Sequence, residues 1–317
     1  MPQRPLPKRE ARALRRSLAL TTPQIANPQL QSPLFAVLPS EVRNLIFEYA
    51  ICQIIDPHKS GPETQSSRSR PKHERIPVMD TTLLCTCRLV YTETRTIPLQ
   101  SATHHVYGDQ ESSYNSADWD HYLFHISSQS GQHLHHLHTI SWWLPDFRRY
   151  LQPHLHWRKI TWTILCSNWD FENEWETGFS YADKISTNLN EIRFPNTCRE
   201  VTLELEVLRK NPKYRRKLRA ISDQFREIQL TRRDESKIAL DENYCMEYTW
   251  DGETWQPGDW EHGPGGYVSA TYHTIRLCWR AREPEREYMH YDHWDCLRSN
   301  KIKEMPSGYS SEKEENA

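Results

Sequence analysis

Leu34-Phe35-Ala36-Val37-Leu38-Pro39-Ser40-Glu41-Val42-Arg43-Asn44-Leu45-Ile46-Phe47-Glu48-Tyr49-Ala50 is the stretch whose reading decides the fold. Pro39 suits the first turn of a helix, because the N–H it lacks has no intrahelical partner there, and Glu41 puts negative charge where the helix dipole favours it. Val42, Leu45, Ile46, Tyr49 and Ala50 then fall at i, i+3, i+4, i+7 and i+8, which lines one helix face with apolar side chains. Such a face is expected to be covered, by an internal core, a partner groove or both.

A second helical stretch is expected from Asp80 to Ile97. Asp80 suits an N-cap, Leu83, Leu84, Cys87, Val90, Tyr91 and Ile97 keep an approximately helical spacing, and Pro98 is read as the stop. Between the two helices, Pro57 to Pro77 is rich in Ser, Arg, Lys and Pro and reads as a disordered insert.

The two stretches, Leu-Pro-Ser-Glu-Val-Arg at 38–43 and Leu-Leu-Cys-Thr-Cys-Arg-Leu-Val-Tyr-Thr-Glu at 83–93, together resemble a group of fungal proteins carrying an F-box-like domain. The group's patterns read roughly Leu-Pro-x-Glu-Ile-Arg and Leu-Leu-x-x-Cys-Arg-x-x-Tyr-x-Glu. The resemblance implies a helical module over residues 32–108 that binds the Skp-type adaptor of a cullin-RING ubiquitin ligase, with a second domain that recognises a substrate protein. It further implies that Leu38, Pro39, Val42 and Ile46 contact the adaptor while Cys87 and Tyr91 close the module behind them. The insert at 57–77 departs from the ordinary F-box, whose helices are joined by short turns.

Composition bounds the remainder. With 40 basic and 42 acidic residues, no global field draws the chain to nucleic acid, and nucleic acid is not an expected partner. No apolar run approaches the roughly 18 residues of a spanning helix, so no membrane partner is expected. The eight cysteines are scattered and no secretory signal precedes them, a usage that fits free thiols inside the cell, in cytoplasm or nucleus. Residues 1–31, with six Arg and Lys against Glu10, read as a disordered basic arm, and residues 300–317 as a disordered tail.

Residues 109–299 read as an α+β domain with a mostly antiparallel sheet, twelve tryptophans in the whole chain supplying bulk that aliphatics do not. Strands are expected at 104–108, 137–144, 160–166 and 201–208, and again at 244–250 and 267–279 around a turn-rich loop. In the clearest, Val201, Leu203, Leu205 and Val207 alternate with Thr202, Glu204 and Glu206, which predicts one buried and one wet face. Short helical spacing appears at 118–130. A late amphipathic helix over 213–230 is predicted from Tyr214, Leu218, Ile221, Phe225 and Ile228, its outer face carrying the basic run that starts at Arg209.

Constellations with chemical potential are few. His133, His135, His136 and His138 lack the i, i+4 spacing of a helical metal pair, and strand alternation splits them between faces; His290, His293 and Cys296 share a face only if helical. No metal or cofactor is expected. Asp170, Glu172, Glu174 and Glu176 among Trp169, Phe171 and Trp175 are the raw material of a carbohydrate- or nucleotide-acting enzyme, but read better as a solvated turn. Trp250, Trp255 and Trp260 read as hairpin braces sooner than as a stacking platform. No phosphate loop, dinucleotide fingerprint, H-E-x-x-H or G-x-S-x-G occurs, so the expected class is a non-enzymatic recognition protein. Its runner-up keeps the fold but packs both helices internally, with no ligase association.

Overall fold

A computed structural model describes residues 9–10, 13, 26–52, 54–60, 75–107, 123, 126–141, 147–166, 178–209, 212–256, 266–281 and 302–304. The chain divides into two compact units, residues 1–55 with 77–102 and residues 56–76 with 103–317. The class is α+β, with helices and a large mixed sheet.

The first unit is helical. Its elements are α1 (Pro33–Ala36), α2 (Ser40–Ile51), a 3-10 turn at Thr82–Cys85, α3 (Arg88–Thr94) and α4 (Ile97–Ser101). Phe47 and Ile51 of α2 meet Val90 and Ile97 in its core, with Leu34, Phe35, Met79, Leu83, Leu84 and Cys87 packed around them. The second helical stretch is therefore three short pieces instead of one. Asp80, read as an N-cap, stands one residue before the N-cap Thr81 of the 3-10 turn, and its Oδ1 accepts from the Thr82 N–H at 2.8 Å. Cys87 sits in extended backbone as the N-cap of α3, its Sγ accepting from the Val90 N–H at 3.5 Å. Pro98 does not stop the run: it lies in the first turn of α4, where its missing N–H costs nothing.

Pro39 likewise is shifted by one position, standing as N-cap of α2 with ψ 154°. The insert read as a loop begins and ends in strands, β1 (Ile54–Ser60) and β2 (Arg75–Val78), which pair as a two-stranded sheet. The segment between them lies outside the described residues, as do nearly all of the basic arm, most of the helix expected at 118–130, the acidic run 170–176, and Trp260, His290, His293 and Cys296.

The second unit is built on a ten-stranded sheet. Its strands are β3 (Thr103–Tyr107), β4 (His136–Ser141), β5 (Lys159–Leu165), β6 (Arg193–Phe194), β7 (Glu200–Leu208), β8 (Leu230–Arg232), β9 (Lys237–Leu240), β10 (Met246–Gln256), β11 (Gly266–Arg280) and β12 (Ile302–Glu304). The strand expected to close the helical module is β3, and it pairs with β4 in this sheet. The sheet is mixed: β3, β4, β5 and β7 run parallel, against the antiparallel expectation for those strands, while β11 pairs antiparallel with β7, β9 and β10. Residues 251–256, read as turn-rich, continue β10 in register with β11 as far as Gln256 opposite Gly266. β12 falls within the stretch read as a tail and pairs with β10.

Among the described residues the sheet is accompanied by the α-helices α5 (Ser128–Gly131), α6 (Gly178–Glu191), which the pattern did not announce, and α7 (Pro212–Arg226). α7 packs against β7 and β11 with Leu218, Ile221 and Phe225 buried, as its spacing predicts. Residue pairing puts Ile160, Trp162, Ile164, Leu203, Leu205, Ile275, Leu277 and Trp279 on one face, all buried. Thr161, Thr163, Thr202, Glu204, Glu206, Thr274 and Arg276 share the other.

That second face is not wet. Glu204 is 4% and Glu206 1% exposed, which corrects the reading of β7 as half-solvated. Alternation establishes that two faces differ in polarity; it says nothing about whether the polar one meets water. Glu204 is kept inside by Arg276, whose Nη2 and Nε donate to Oε1 at 2.7 and 3.0 Å, by Thr163 Oγ1 at 2.8 Å and by Tyr248 Oη at 3.3 Å. An unpaired carboxylate at that depth would be untenable.

Candidate protein-docking surface

α2 carries two apolar lines, and they face opposite ways. Arg43, Phe47 and Ile51, spaced by four, point into the helical unit, where Phe47 and Ile51 are essentially inaccessible. The stripe expected to be covered by a core, a partner groove or both is exposed in the chain itself: Val42 40%, Leu45 63%, Ile46 43% and Tyr49 79%. Val37, three residues before the helix, is 74% exposed. Scattered exposed hydrophobes are ordinary, but four on one helical face are a grouping of the kind found at interaction sites.

Why the helix turns this way follows from Arg43. Its Nε and Nη2 donate to Glu93 Oε2 and Oε1 at 3.2 and 2.9 Å, a bidentate pair joining α2 to α3 across fifty residues of sequence. Its Nη1 donates to the Leu38 carbonyl at 2.8 Å, and the guanidinium lies 5.2 Å from the centre of the Phe35 ring. The hydrogen bond to Glu93 holds the Arg43 pKa above its ordinary value, against a smaller opposing effect of burial. With Arg43 and Phe47 committed inward, the helical period of 3.6 carries Val42, Leu45, Ile46 and Tyr49 outward.

The residues assigned to a partner by resemblance distribute as follows. Val42 and Ile46 lie on the exposed face, and Pro39 is exposed at its start. Leu38 is half-buried beneath it with its carbonyl taken by Arg43. Cys87 is half-buried against the core and Tyr91 is half-buried on α3. Leu45 and Tyr49, the most exposed apolar residues of α2, belong to the same stripe and were visible in it.

Of the other constellations, those within the described residues take structural places. His136 bridges Thr103 Oγ1 and Thr161 Oγ1 through Nδ1 and Nε2 at 3.0 and 3.1 Å. His138 Nε2 lies 3.1 Å from Thr163 Oγ1, and because Thr163 gives its single hydrogen to the Glu204 carboxylate, the His138 nitrogen is the donor. Among the described residues no group of three or more His, Cys, Asp or Glu is arranged to hold a metal ion. Burial pushes the Cys198 and Cys278 thiols up to about 12, so neither is a thiolate near neutrality. Trp250 is buried and stacked on Tyr272 with ring centres 4.1 Å apart, a brace within the sheet.

Much of the basic run on α7 is turned to internal use. Arg219 Nη2 donates to Glu247 Oε1 at 2.8 Å, Arg215 Nε to the same oxygen at 3.4 Å, and Arg226 pairs with Glu242. His273 Nε2 is 3.1 Å from Glu247 Oε1, close enough for an ion pair but without the alignment of a good hydrogen bond. Burial alone would raise the Glu247 pKa; His273 and Arg219 outweigh it and bring it down to about 2. Among the described residues no helix is long and apolar enough to cross a membrane.

No protein-family model, curated protein or solved structure matches this chain.

Proposed function

We propose that this chain is a non-enzymatic protein-interaction protein in which the outer face of α2 docks onto another polypeptide and the sheet-bearing unit meets a substrate protein. The partner implied by the resemblance of residues 38–49 and 83–93 is a Skp-type adaptor, which makes the chain an F-box-like recognition subunit. What carries the reading is the exposure of Val42, Leu45, Ile46 and Tyr49 on a helix whose opposite side is already anchored. Fully covering one such side chain is worth about 1.5–3 kcal/mol, so a partner that covers several gains a compact cluster of binding energy.

The same exposure weighs against the alternative in which both helices pack internally. An enzymatic reading would draw on the acidic run 170–176, which lies outside the described residues.

The test is co-purification of the full chain with a purified Skp-type adaptor, for the natural sequence and for the double variant Leu45→Ala with Ile46→Ala. Capture by the natural chain and its loss in the variant, with an unchanged circular dichroism spectrum, is the expected result. Absence of capture by the natural chain, or equal capture by the variant, overturns the proposal.

A further inference from the structure

We propose that Arg43 is a positioning residue for the docking face, acting on it through the Leu38 carbonyl and not by touching the partner. The inference rests on the reading of α2 as a docking helix and adds the element that sets the shape of its N-terminal end.

The guanidinium is a rigid planar fork, and here its three nitrogens are all engaged: two on Glu93 and one on the Leu38 oxygen. The side chain is 14% exposed and that of Glu93 19%, so the group lies beneath the surface it organises. Two of its contacts reach the segment that leads into α2, the Phe35 ring and the Leu38 carbonyl, and only the second is a hydrogen bond. Leu38 is followed by Pro39, the N-cap, whose carbonyl accepts the Arg43 N–H at 3.1 Å. Fixing the Leu38 carbonyl therefore fixes where exposed Val37 and Pro39 stand relative to Val42 and Ile46. The Arg of the first motif and the final Glu of the second thereby acquire a shared physical task.

Two roles for Arg43 make different predictions. If it serves only as half of an ion pair, exchanging the charges restores everything. If it positions the lead-in turn, the exchange restores the pair but not the turn, because a glutamate at position 43 has no hydrogen to give the Leu38 oxygen. The same holds in part for Arg43→Lys, which keeps the charge and loses the fork.

The experiment compares the full chain with two variants, Arg43→Lys and the exchanged pair Arg43→Glu, Glu93→Arg, with the single substitution Arg43→Glu as the reference for the exchange. Three quantities are read: thermal stability, amide hydrogen exchange over residues 35–46, and affinity for a purified Skp-type adaptor. The expected result is that the exchanged pair recovers most of the stability lost in Arg43→Glu alone. Exchange over 35–46 nonetheless remains faster than in the natural chain, and adaptor binding stays about tenfold weaker, the scale of one lost charge-assisted hydrogen bond. Natural exchange rates over 35–46 in both variants overturn the positioning role. So does full recovery of exchange and binding in the exchanged pair. If the natural chain does not bind the adaptor, the docking reading fails, while hydrogen exchange still decides whether Arg43 sets the turn.

Discussion

Helix α2 and strand β7 depart from the usual partition of apolar and polar groups in opposite senses. α2 turns Leu45 and Tyr49 to the outside, whereas β7 takes Glu204 and Glu206 to the inside. The difference lies in where compensation is found. Glu204 has its compensation within the chain, in Arg276, Thr163 and Tyr248, because a carboxylate cannot wait in a low-dielectric interior. Exposed aliphatic side chains carry a smaller penalty and can stay uncovered until a partner arrives. Buried charge thus reports on the fold, and exposed grease reports on function.

Three measurements would break or sharpen this contrast. The largest effect is expected at the buried end: Arg276→Ala removes the cation paired with Glu204, leaving only the Thr163 and Tyr248 hydroxyls on it, and should cost about 3 kcal/mol, read from the denaturant midpoint of the sheet-bearing unit. Replacing both Arg276 and Glu204 with apolar residues of similar size should cost much less, since no orphan charge remains. A double variant as damaging as the single one would show that packing, not charge compensation, dominates there.

Next in size is a pH effect at Glu247. Its folded pKa of about 2 lies below the ordinary 4.5, so its contribution to stability is complete above about pH 4.5 and is lost as pH falls towards 2. Glu247→Gln should flatten that part of the stability profile, with the steepness of acid unfolding between pH 4.5 and 2 as the readout. An unchanged profile would mean that Arg215, Arg219 and His273 do not hold the carboxylate as their distances suggest.

The smallest effect is expected at the exposed end, and its smallness is the point. Leu45→Ala and Tyr49→Ala should each change stability by no more than about 0.5 kcal/mol in thermal unfolding of the isolated chain. A loss several times larger would make this face part of the folded core and remove the contrast with β7.

Much of the fold was legible. The spacing of Leu218, Ile221 and Phe225 located α7, and alternation through Val201 to Val207 located β7, because both patterns are local consequences of helix and strand periods. Strand direction was not legible, since β3, β4, β5 and β7 read alike whether they pair parallel or antiparallel. α6 was not legible because its buried side rests on Ala182, Ile185 and Leu189, too few apolar residues to set a helical period apart from a polar loop. On α2 the spacing of Val42, Leu45, Ile46 and Tyr49 made one stripe legible but left open whether the chain itself or a partner covers it. Phe47 and Ile51 form a second apolar line on the same helix, and a periodic pattern does not say which of two lines faces the core.

The amino-acid sequence by itself determined the periods: which residues share a helix face and which alternate along a strand, and that Asp80 stands where a helical turn begins. The place of Cys87 at the start of α3 and the pairing of Arg43 with Glu93 came only with the fold. Only the tertiary structure decided which face is inside, because burial is a property of what a neighbouring element covers and not of the residue that is covered. For α2 the choice fell to Phe47, Ile51 and the Arg43 clamp; for β7 it fell to Arg276 reaching across from the adjacent strand.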